Sequence, residues 1–278
     1  MEWRPFKDVP CAYQLHFHFC FQTKSDRSRF SLPATADYLK QGLDLICERN
    51  HYHRLGHNVQ NDRLYCLLSL KPEHTVSTVA GVVKSNLARE FNLRFGNRDK
   101  TEPLWSIGYY VRSVGKASRK ATEQYIRDQG EHHGIRKEQV REIMRWVNPE
   151  PHGLRSAHVT FDISYHLVLV TSARAQVFDQ YNAADFFRAM AGFADAGGLY
   201  IERMSLLDDH IHLLIRTTPS VAIRDRVEDL MNNSCQYLSD KYPGILKNTG
   251  AYNVWTQSFY VSTVGDATTA QIKTFLKG

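Results

Sequence analysis

Two short groups of residues carry side chains that could act on a phosphate ester. His210 and His212 are one residue apart, so on a strand both imidazoles would project from the same face, about 7 Å apart, where they can share a metal ion. Tyr125 and Gln129 are four residues apart, so on a helix a phenol and an amide would lie side by side. These residues predict metal-assisted chemistry with a tyrosine nucleophile. Taken alone, each group could also be an ordinary polar strand or a core tyrosine.

A repeated segment makes the tyrosine informative. The segments Trp105–Gly115 and Trp255–Gly265 are identical at five of eleven aligned positions, and three more positions differ only by Tyr/Phe or Ser/Thr exchanges. Ten residues after the closing glycine, the first copy has Tyr125 and the second has Phe275. Phenylalanine has the same ring without a nucleophilic oxygen, so the second copy could not perform tyrosine chemistry by itself.

The histidine pair shows the reverse asymmetry. Asp209–His212 in the second half aligns with Asp62–Tyr65 in the first, so Arg63 stands where His210 does. A guanidinium cannot coordinate a cation, because it is always protonated. Each half thus keeps what the other has lost. The sequence therefore predicts one composite site, at which the tyrosine and glutamine of the first half meet the histidines of the second.

The elements that must position these residues also occur twice. Each half begins with a strand and continues with a helix, a second strand, a second helix, the tryptophan-containing extended segment and a last helix. The predicted strands are Gln14–Phe21, Arg63–Leu70, Ile163–Thr171 and Ile211–Arg216, and the predicted helices are 34–50, 76–93, 119–129, 183–197, 221–241 and a short one at 268–278. This alternation predicts an α+β fold with a mainly antiparallel sheet in each half.

The domain boundaries follow from where the repeat stops matching. We expect a first repeat over 1–130 and a second over 157–278. The intervening residues, 131–156, have no counterpart in the second repeat and predict a linker with a short helix over 135–147.

Composition narrows the class of protein. The chain has 278 residues, 42% of them hydrophobic, which is enough for two domains with their own cores. It carries no apolar run of about 20 residues that could span a bilayer and no signal-peptide core at its start, so we expect no membrane partner. Five cysteines without a CxxC pair predict a cytoplasmic protein. The net charge of +6 is compatible with a polyanionic partner.

Taken together, Tyr165–Thr171, Asp209–Leu214, Trp105–Gly115 and Gln124–Gln129 resemble the single-tyrosine HUH transposases of bacterial mobile elements, the TnpA-type and REP-associated tyrosine transposases. The resemblance covers most of both halves. It implies two tandem ferredoxin/RRM-like domains arranged as a pseudo-symmetric dimer fused into one chain. It also implies that a monomeric pseudo-dimer is more plausible than an obligate homodimer, and that the chain works on DNA of the bacterial nucleoid.

The resemblance further implies the site chemistry. Tyr125 would attack single-stranded DNA to form a 5′-phosphotyrosine, and His210, His212 and Gln129 would hold Mg²⁺ or Mn²⁺. The substrate implied is single-stranded DNA with hairpin-forming element ends, cut and rejoined during transposition. Basic residues near the predicted site are candidate DNA contacts: Lys24, Arg27, Arg29, Lys84, Arg89, Lys116, Arg119 and Lys120.

Two alternatives remain open from the sequence. The chain could be a domesticated transposase that binds DNA hairpins without cutting them, since one set of catalytic groups has been lost. It could also be a metal-dependent hydrolase in which water attacks, although this would leave the Tyr125/Phe275 asymmetry unexplained.

Overall fold

In the computed structural model, residues 3–24, 30–31, 33–95, 103–127, 141–149 and 153–277 are described. The strands are β1 Cys11–Gln22, β2 His53–Gln60, β3 Arg63–Leu70, β4 Tyr109–Val114, β5 Glu142–Val147, β6 Val159–Asp162, β7 Ser164–Val170, β8 Tyr200–Leu207, β9 His210–Arg216 and β10 Phe259–Val264. The helices are α1 Pro33–Arg49, α2 Val76–Phe95, α3 Arg119–Arg127, α4 Ala183–Ala196, α5 Ile223–Lys241, α6 Ile245–Thr249 and α7 Thr269–Phe275. Mixed helices and strands confirm the predicted α+β class.

All ten strands join one sheet, which runs through both halves of the chain. Its main order is β2-β3-β1-β10-β7-β9-β8-β5, and β4 pairs with both β1 and β6. Pairing within each half is antiparallel, whereas the two halves meet through parallel pairs, β1 with β10 and β4 with β6. These two junctions are equivalent, because β4 and β10 are the repeated segments. The sheet is therefore the pseudo-symmetric dimer that the repeat predicts.

One face of the sheet carries the hydrophobic core. Alternate residues of β1, among them Phe17, Phe19 and Phe21, are buried in a single cluster that contains the apolar faces of α1, α2, α4 and α5. Phe17 contacts Tyr165 edge-on across the two halves, with ring centroids 6.3 Å apart. On β1 and β7, the residues that alternate with these buried ones project from the opposite face of the sheet, since side chains alternate along a strand. That opposite face holds the histidines.

The region between the halves differs from the prediction. Residues 142–147 form β5, which pairs antiparallel with β8 at the sheet edge, where a helix was expected over 135–147. The segment Glu-Ile-Met-Arg-Trp-Val is rich in β-branched and aromatic residues, and the open edge of β8 supplies its hydrogen-bond partners. The sequence prediction also omitted β2 and β8, whose mixed burial gives no clean alternation.

The chain crosses from one half to the other after each repeated segment. Gly115 bridges to Thr268, and Gly265 bridges to Ser118, so the two crossings run side by side. A Cβ atom at Gly265 would lie 2.1 Å from the carbonyl oxygen of Ser113, and one at Gly115 would lie 2.5 Å from that of Thr263. Only glycine permits this approach of two backbones. Each last helix is thereby directed onto the other half.

Candidate active site

The crossing places α3 of the first half on the sheet of the second. Ile126 packs with Leu214 and Val264, both buried residues of the second half. The exposed side of the helix carries Tyr125, which is 42% exposed and lies over the strands that hold the histidines. The sequence predicted this exchange of helices from the loss of complementary residues, and the hydrophobic contact of Ile126 gives its physical basis.

Tyr125 and the histidines lie together. The ring centroid of Tyr125 is 5.7 Å from that of His212 and 6.0 Å from that of His166, with nearly perpendicular ring planes in both pairs. The ring centroids of His210 and His212 are 4.9 Å apart, closer than the roughly 7 Å that the strand rise predicted, so the two rings lean toward each other. Three of the four predicted site residues are therefore neighbours. The fourth, Gln129, lies outside the described residues.

Both histidines of the predicted ligand set have a hydrogen bond at Nδ1. His210 Nδ1 contacts the carboxylate of Asp209, which also pairs with Arg174 at 3.2 Å. His212 Nδ1 lies 3.0 Å from Nε2 of His166. Such bonds fix the tautomer and orientation of an imidazole, and a metal ion would then be coordinated through Nε2. The pKa of Asp209 is lowered: burial acts to raise it, but the contacts with His210 and Arg174 outweigh that effect.

His166 is a site residue that the sequence interpretation missed. It is buried on β7, and burial lowers its pKa to about 4, so the ring is neutral near pH 7. A neutral ring can accept a hydrogen bond from His212 through Nε2, as the geometry requires if His212 is a ligand. The segment from Tyr165 to Thr171 was identified as part of the repeat, so His166 lay in a recognised strand. The sequence did not indicate that His166 would contact His212, its diagonal neighbour on the adjacent strand β9.

A cleft of about 620 Å³ opens beside these residues. Its lining combines Tyr125, His166 and His212 with residues of β1 and β10, including Gln14 and Tyr260, and with Lys116 at the crossing. This volume suits a small ligand or part of a polymer. Lys116 places a positive charge beside the phenol and the two imidazoles, a combination that can bind a phosphate group.

The donor set fits a divalent metal incompletely within the described ranges. No group of three or more His, Cys, Asp or Glu side chains in that part of the chain is arranged to hold a metal ion. Two imidazoles with fixed Nδ1 atoms are nevertheless a partial ligand set, and the predicted third ligand is an amide oxygen.

An ion-pair network holds α3 in place. Arg119 contacts the carboxylates of Glu123, Asp162 and Glu202, the last two from the second half. Arg203 of β8 reaches back to Glu123 at 3.3 Å. Because Arg119 is engaged by three carboxylates, the structure favours a positioning role for it over the DNA contact predicted from the sequence.

The other candidate DNA contacts are dispersed. Lys84 donates to the carbonyl oxygens of Ser106, Ile107 and Gly108, which favours a structural role. Lys116 lines the cleft. The candidates that are exposed elsewhere are Lys24, Arg89 and Lys120, and those outside the described residues are Arg27 and Arg29.

Comparisons with known proteins identify the family. The model of the family described as IS200-like transposase matches residues 11–129 and again 159–278, which together make up most of the chain. The chain belongs to the IS200-like transposase family. Its general activity is therefore that of this family, the cleavage and movement of DNA in transposition, and membership also implies a divalent metal in general terms.

Three individual relatives each match less than half of this transposase. The ISDra2 transposase TnpA of Deinococcus radiodurans is 30% identical over 117 residues, which are 42% of this chain and 84% of the relative. A crystal structure of a protein proposed to be a transposase from D. radiodurans R1 is 26% identical and covers 47% of this chain and 96% of its own, with a TM-score of 0.36. A REP-associated tyrosine transposase bound to a REP hairpin is 12% identical and covers 48% of this chain and 74% of its own, with a TM-score of 0.31.

Among the residues that the structure describes, no helix combines the length and the hydrophobicity of a membrane span.

Proposed function

We propose that this transposase cleaves and rejoins single-stranded DNA at one composite site, through a 5′-phosphotyrosine intermediate on Tyr125. The observation that carries the proposal is the 5.7 Å between the ring centroids of Tyr125, from the first half, and His212, from the second. Each half alone lacks either the nucleophile or the histidine pair, and the crossing brings the two together.

The chain's own residues account for the nucleophilic step. The phenol oxygen of Tyr125 attacks phosphorus and loses its proton, a P–O(Tyr) bond forms, and the bond to the 3′ oxygen breaks. That oxygen takes up a proton and leaves as a free 3′-OH, while the 5′ phosphate stays on the protein. Rejoining reverses these bonds with a second 3′-OH as nucleophile. Lys116, which lines the same cleft, would neutralise phosphate charge in both directions.

We propose that His210, His212 and Gln129 hold the divalent metal, Mg²⁺ or Mn²⁺. When bound, it would act as a Lewis acid that polarises the scissile phosphate. Asp209 orients His210, and His166 orients His212. Both bonds are of the kind that supports metal-binding histidines in proteins.

The substrate and the working unit follow from the resemblance found in the sequence. We propose hairpin-forming ends of single-stranded DNA as the target, bound by one chain that serves as its own pseudo-dimer, in the cytoplasm where the nucleoid lies. Since each chain has one such site, joining two cut ends requires two chains or two successive uses of Tyr125.

The test uses the position of the label. With Mn²⁺ and a 3′-labelled hairpin oligonucleotide, label should become attached to protein and survive denaturation, whereas a 5′-labelled oligonucleotide should release a shorter free strand. Mapping of the labelled peptide should locate the DNA on Tyr125. An adduct that persists in Tyr125→Phe would refute the assignment. Cleavage without an adduct would favour the hydrolase, and hairpin binding without cleavage would favour the domesticated binding protein.

A further inference from the structure

The first half contains the counterpart of the catalytic cleft. On the strands equivalent to those of the composite site, His18 corresponds to His166, Tyr65 to His212, and Phe275 on α7 to Tyr125. His18 and Tyr65 stack with ring planes 14° apart, the same angle as His166 and His212. Phe275 contacts both edge-on, at 6.1 and 5.5 Å.

The counterpart in the first half is also a cleft rather than a filled core. A cleft of about 510 Å³ lies against His18, Tyr65, Tyr110 and Arg63, close to the 620 Å³ of the composite site. Neither ring nitrogen of His18 has a hydrogen-bond partner among the described residues, although the side chain is only 4% exposed. An unpartnered polar group at this depth is costly unless something else binds it. The cleft therefore offers a buried donor and acceptor to an occupant.

The charge of the cleft indicates the class of occupant. Arg63 stands where the composite site has His210, and its side chain is 45% exposed and paired with Asp62 at 3.7 Å. A guanidinium binds phosphate through paired hydrogen bonds and excludes a metal ion. Burial and the charge of Arg112 lower the pKa of His18 to about 4, so this ring is neutral near pH 7 and the positive charge of the cleft lining comes from Arg63. Asp62, whose carboxylate also accepts from Gln22, is the acidic residue beside Arg63.

Aromatic rings supply the second element of recognition. Tyr65, Tyr109 and Tyr110 line the cleft around His18. Unpaired bases stack on such rings regardless of sequence. Phosphate recognition by an arginine beside tyrosines fits a nucleotide better than an inorganic anion.

We propose that the cleft of the first half is a second, non-cleaving site that binds one nucleotide of single-stranded DNA, its phosphate at Arg63 and its base against Tyr65 or Tyr110. The proposal rests on the proposed single-strand substrate, but not on cleavage at Tyr125. The second site would hold a DNA strand while the composite site cuts.

Photocrosslinking tests the second site directly. The full-length Tyr125→Phe variant would be irradiated with a single-stranded oligodeoxynucleotide containing 4-thiothymidine, and crosslinked peptides would be mapped by mass spectrometry. We expect crosslinks on the peptides that carry Tyr65 or Tyr110. Adding Arg63→Gln should lower the yield about tenfold, as expected for the loss of a charged hydrogen bond. The matched control is Arg226→Gln, an exposed arginine on α5 paired with Asp229, and it should leave the yield unchanged.

The outcomes separate the two proposals. Absence of crosslinks on these peptides, or a yield that Arg63→Gln does not reduce, overturns the second site, while adduct formation by the wild-type chain still tests Tyr125. Crosslinks in the Tyr125→Phe variant, together with no adduct in the wild-type chain, support the second site and refute the cleavage mechanism. Competition by thymidine 5′-monophosphate at the oligonucleotide's own concentration would overturn single-stranded DNA as the occupant in favour of a free nucleotide.

Discussion

The two clefts have the same backbone and different chemistry. Both are bounded by a helix that crosses from the other half, and in both an imidazole stacks on a ring of the neighbouring strand at 14°. In one cleft the phenol of Tyr125 contacts His166 and His212, and in the other the phenyl ring of Phe275 contacts His18 and Tyr65. The fold therefore places aromatic and imidazole rings in the same arrangement in both clefts. The chemical difference between the clefts comes from the identity of a few side chains.

Exchanging the crossing residues gives the largest expected effect. Tyr125→Phe should abolish the DNA adduct, because the phenyl ring has no nucleophilic oxygen. The matched change, Phe275→Tyr, should not create an adduct in the first half, because Arg63 and Tyr65 replace the histidine pair. Both are measured with the 3′-labelled oligonucleotide and peptide mapping. An adduct on residue 275 in the second variant would show that the histidines are dispensable.

The two stacked histidines should differ in their effect on metal binding. His166→Phe should weaken Mn²⁺ binding about 10- to 100-fold, the usual range for loss of a supporting hydrogen bond to a metal ligand. His18→Phe, the equivalent change in the other cleft, should not change it. Titration calorimetry with Mn²⁺ on the full chain measures both. Equal affinities in the two variants would remove His166 from the site.

The crossings serve both clefts, so their disruption should not discriminate between them. Gly265→Ala places a methyl group against the carbonyl oxygen of Ser113 and should destabilise the fold by about 1–3 kcal/mol or more. Gly192→Ala on α4, where nothing lies within 4 Å of the added Cβ, should instead leave stability unchanged or raise it slightly. Denaturant unfolding gives both values. Unfolding of Gly265→Ala at the wild-type midpoint would mean that the crossing can relax.

Acid should reveal the buried histidine of the first cleft. The pKa of His18 is about 4 in the folded chain and 6.5 for an ordinary histidine, as in the unfolded chain. As the pH falls from 6.5 to 4, the unfolded state therefore binds a proton that the folded state does not. Stability should therefore decline over that window, and His18→Phe should remove up to about 3 kcal/mol of the decline. The pKa values of His16 and His166 are also lowered to about 4, so both proteins retain the part of the stability loss that these two histidines cause. Denaturant unfolding at pH 7 and pH 4.5 measures the difference, and identical declines would contradict the assigned burial of His18.

The sequence was most informative where the two halves could be compared. The repeat correctly predicted the α+β class and most of the strands and helices, because apolar periodicity and the repeated segment reflect the same core. The pseudo-dimer, which the family resemblance implied, is also confirmed. The strand β5 was predicted as a helix, since its partner β8 lies far along the chain and local periodicity could not reveal it. The same limit concealed His166 and the ion pairs of Arg119, which depend on contacts between elements rather than on spacing. The predicted roles of Tyr125, His210, His212 and Gln129 stay predictions, as do those of the candidate DNA contacts.

The crossing of the helices has a consequence for assembly. If two separate chains carried these complementary losses, exchange between them would yield like-with-like pairs containing two tyrosines and no histidine pair, or the reverse. Covalent fusion prevents such inactive pairs, because every chain that folds contains Tyr125 and the pair His210 and His212 in fixed ratio. The glycines at 115 and 265 let the two backbones pass, and the covalent connection between the halves keeps the complementary partners from separating.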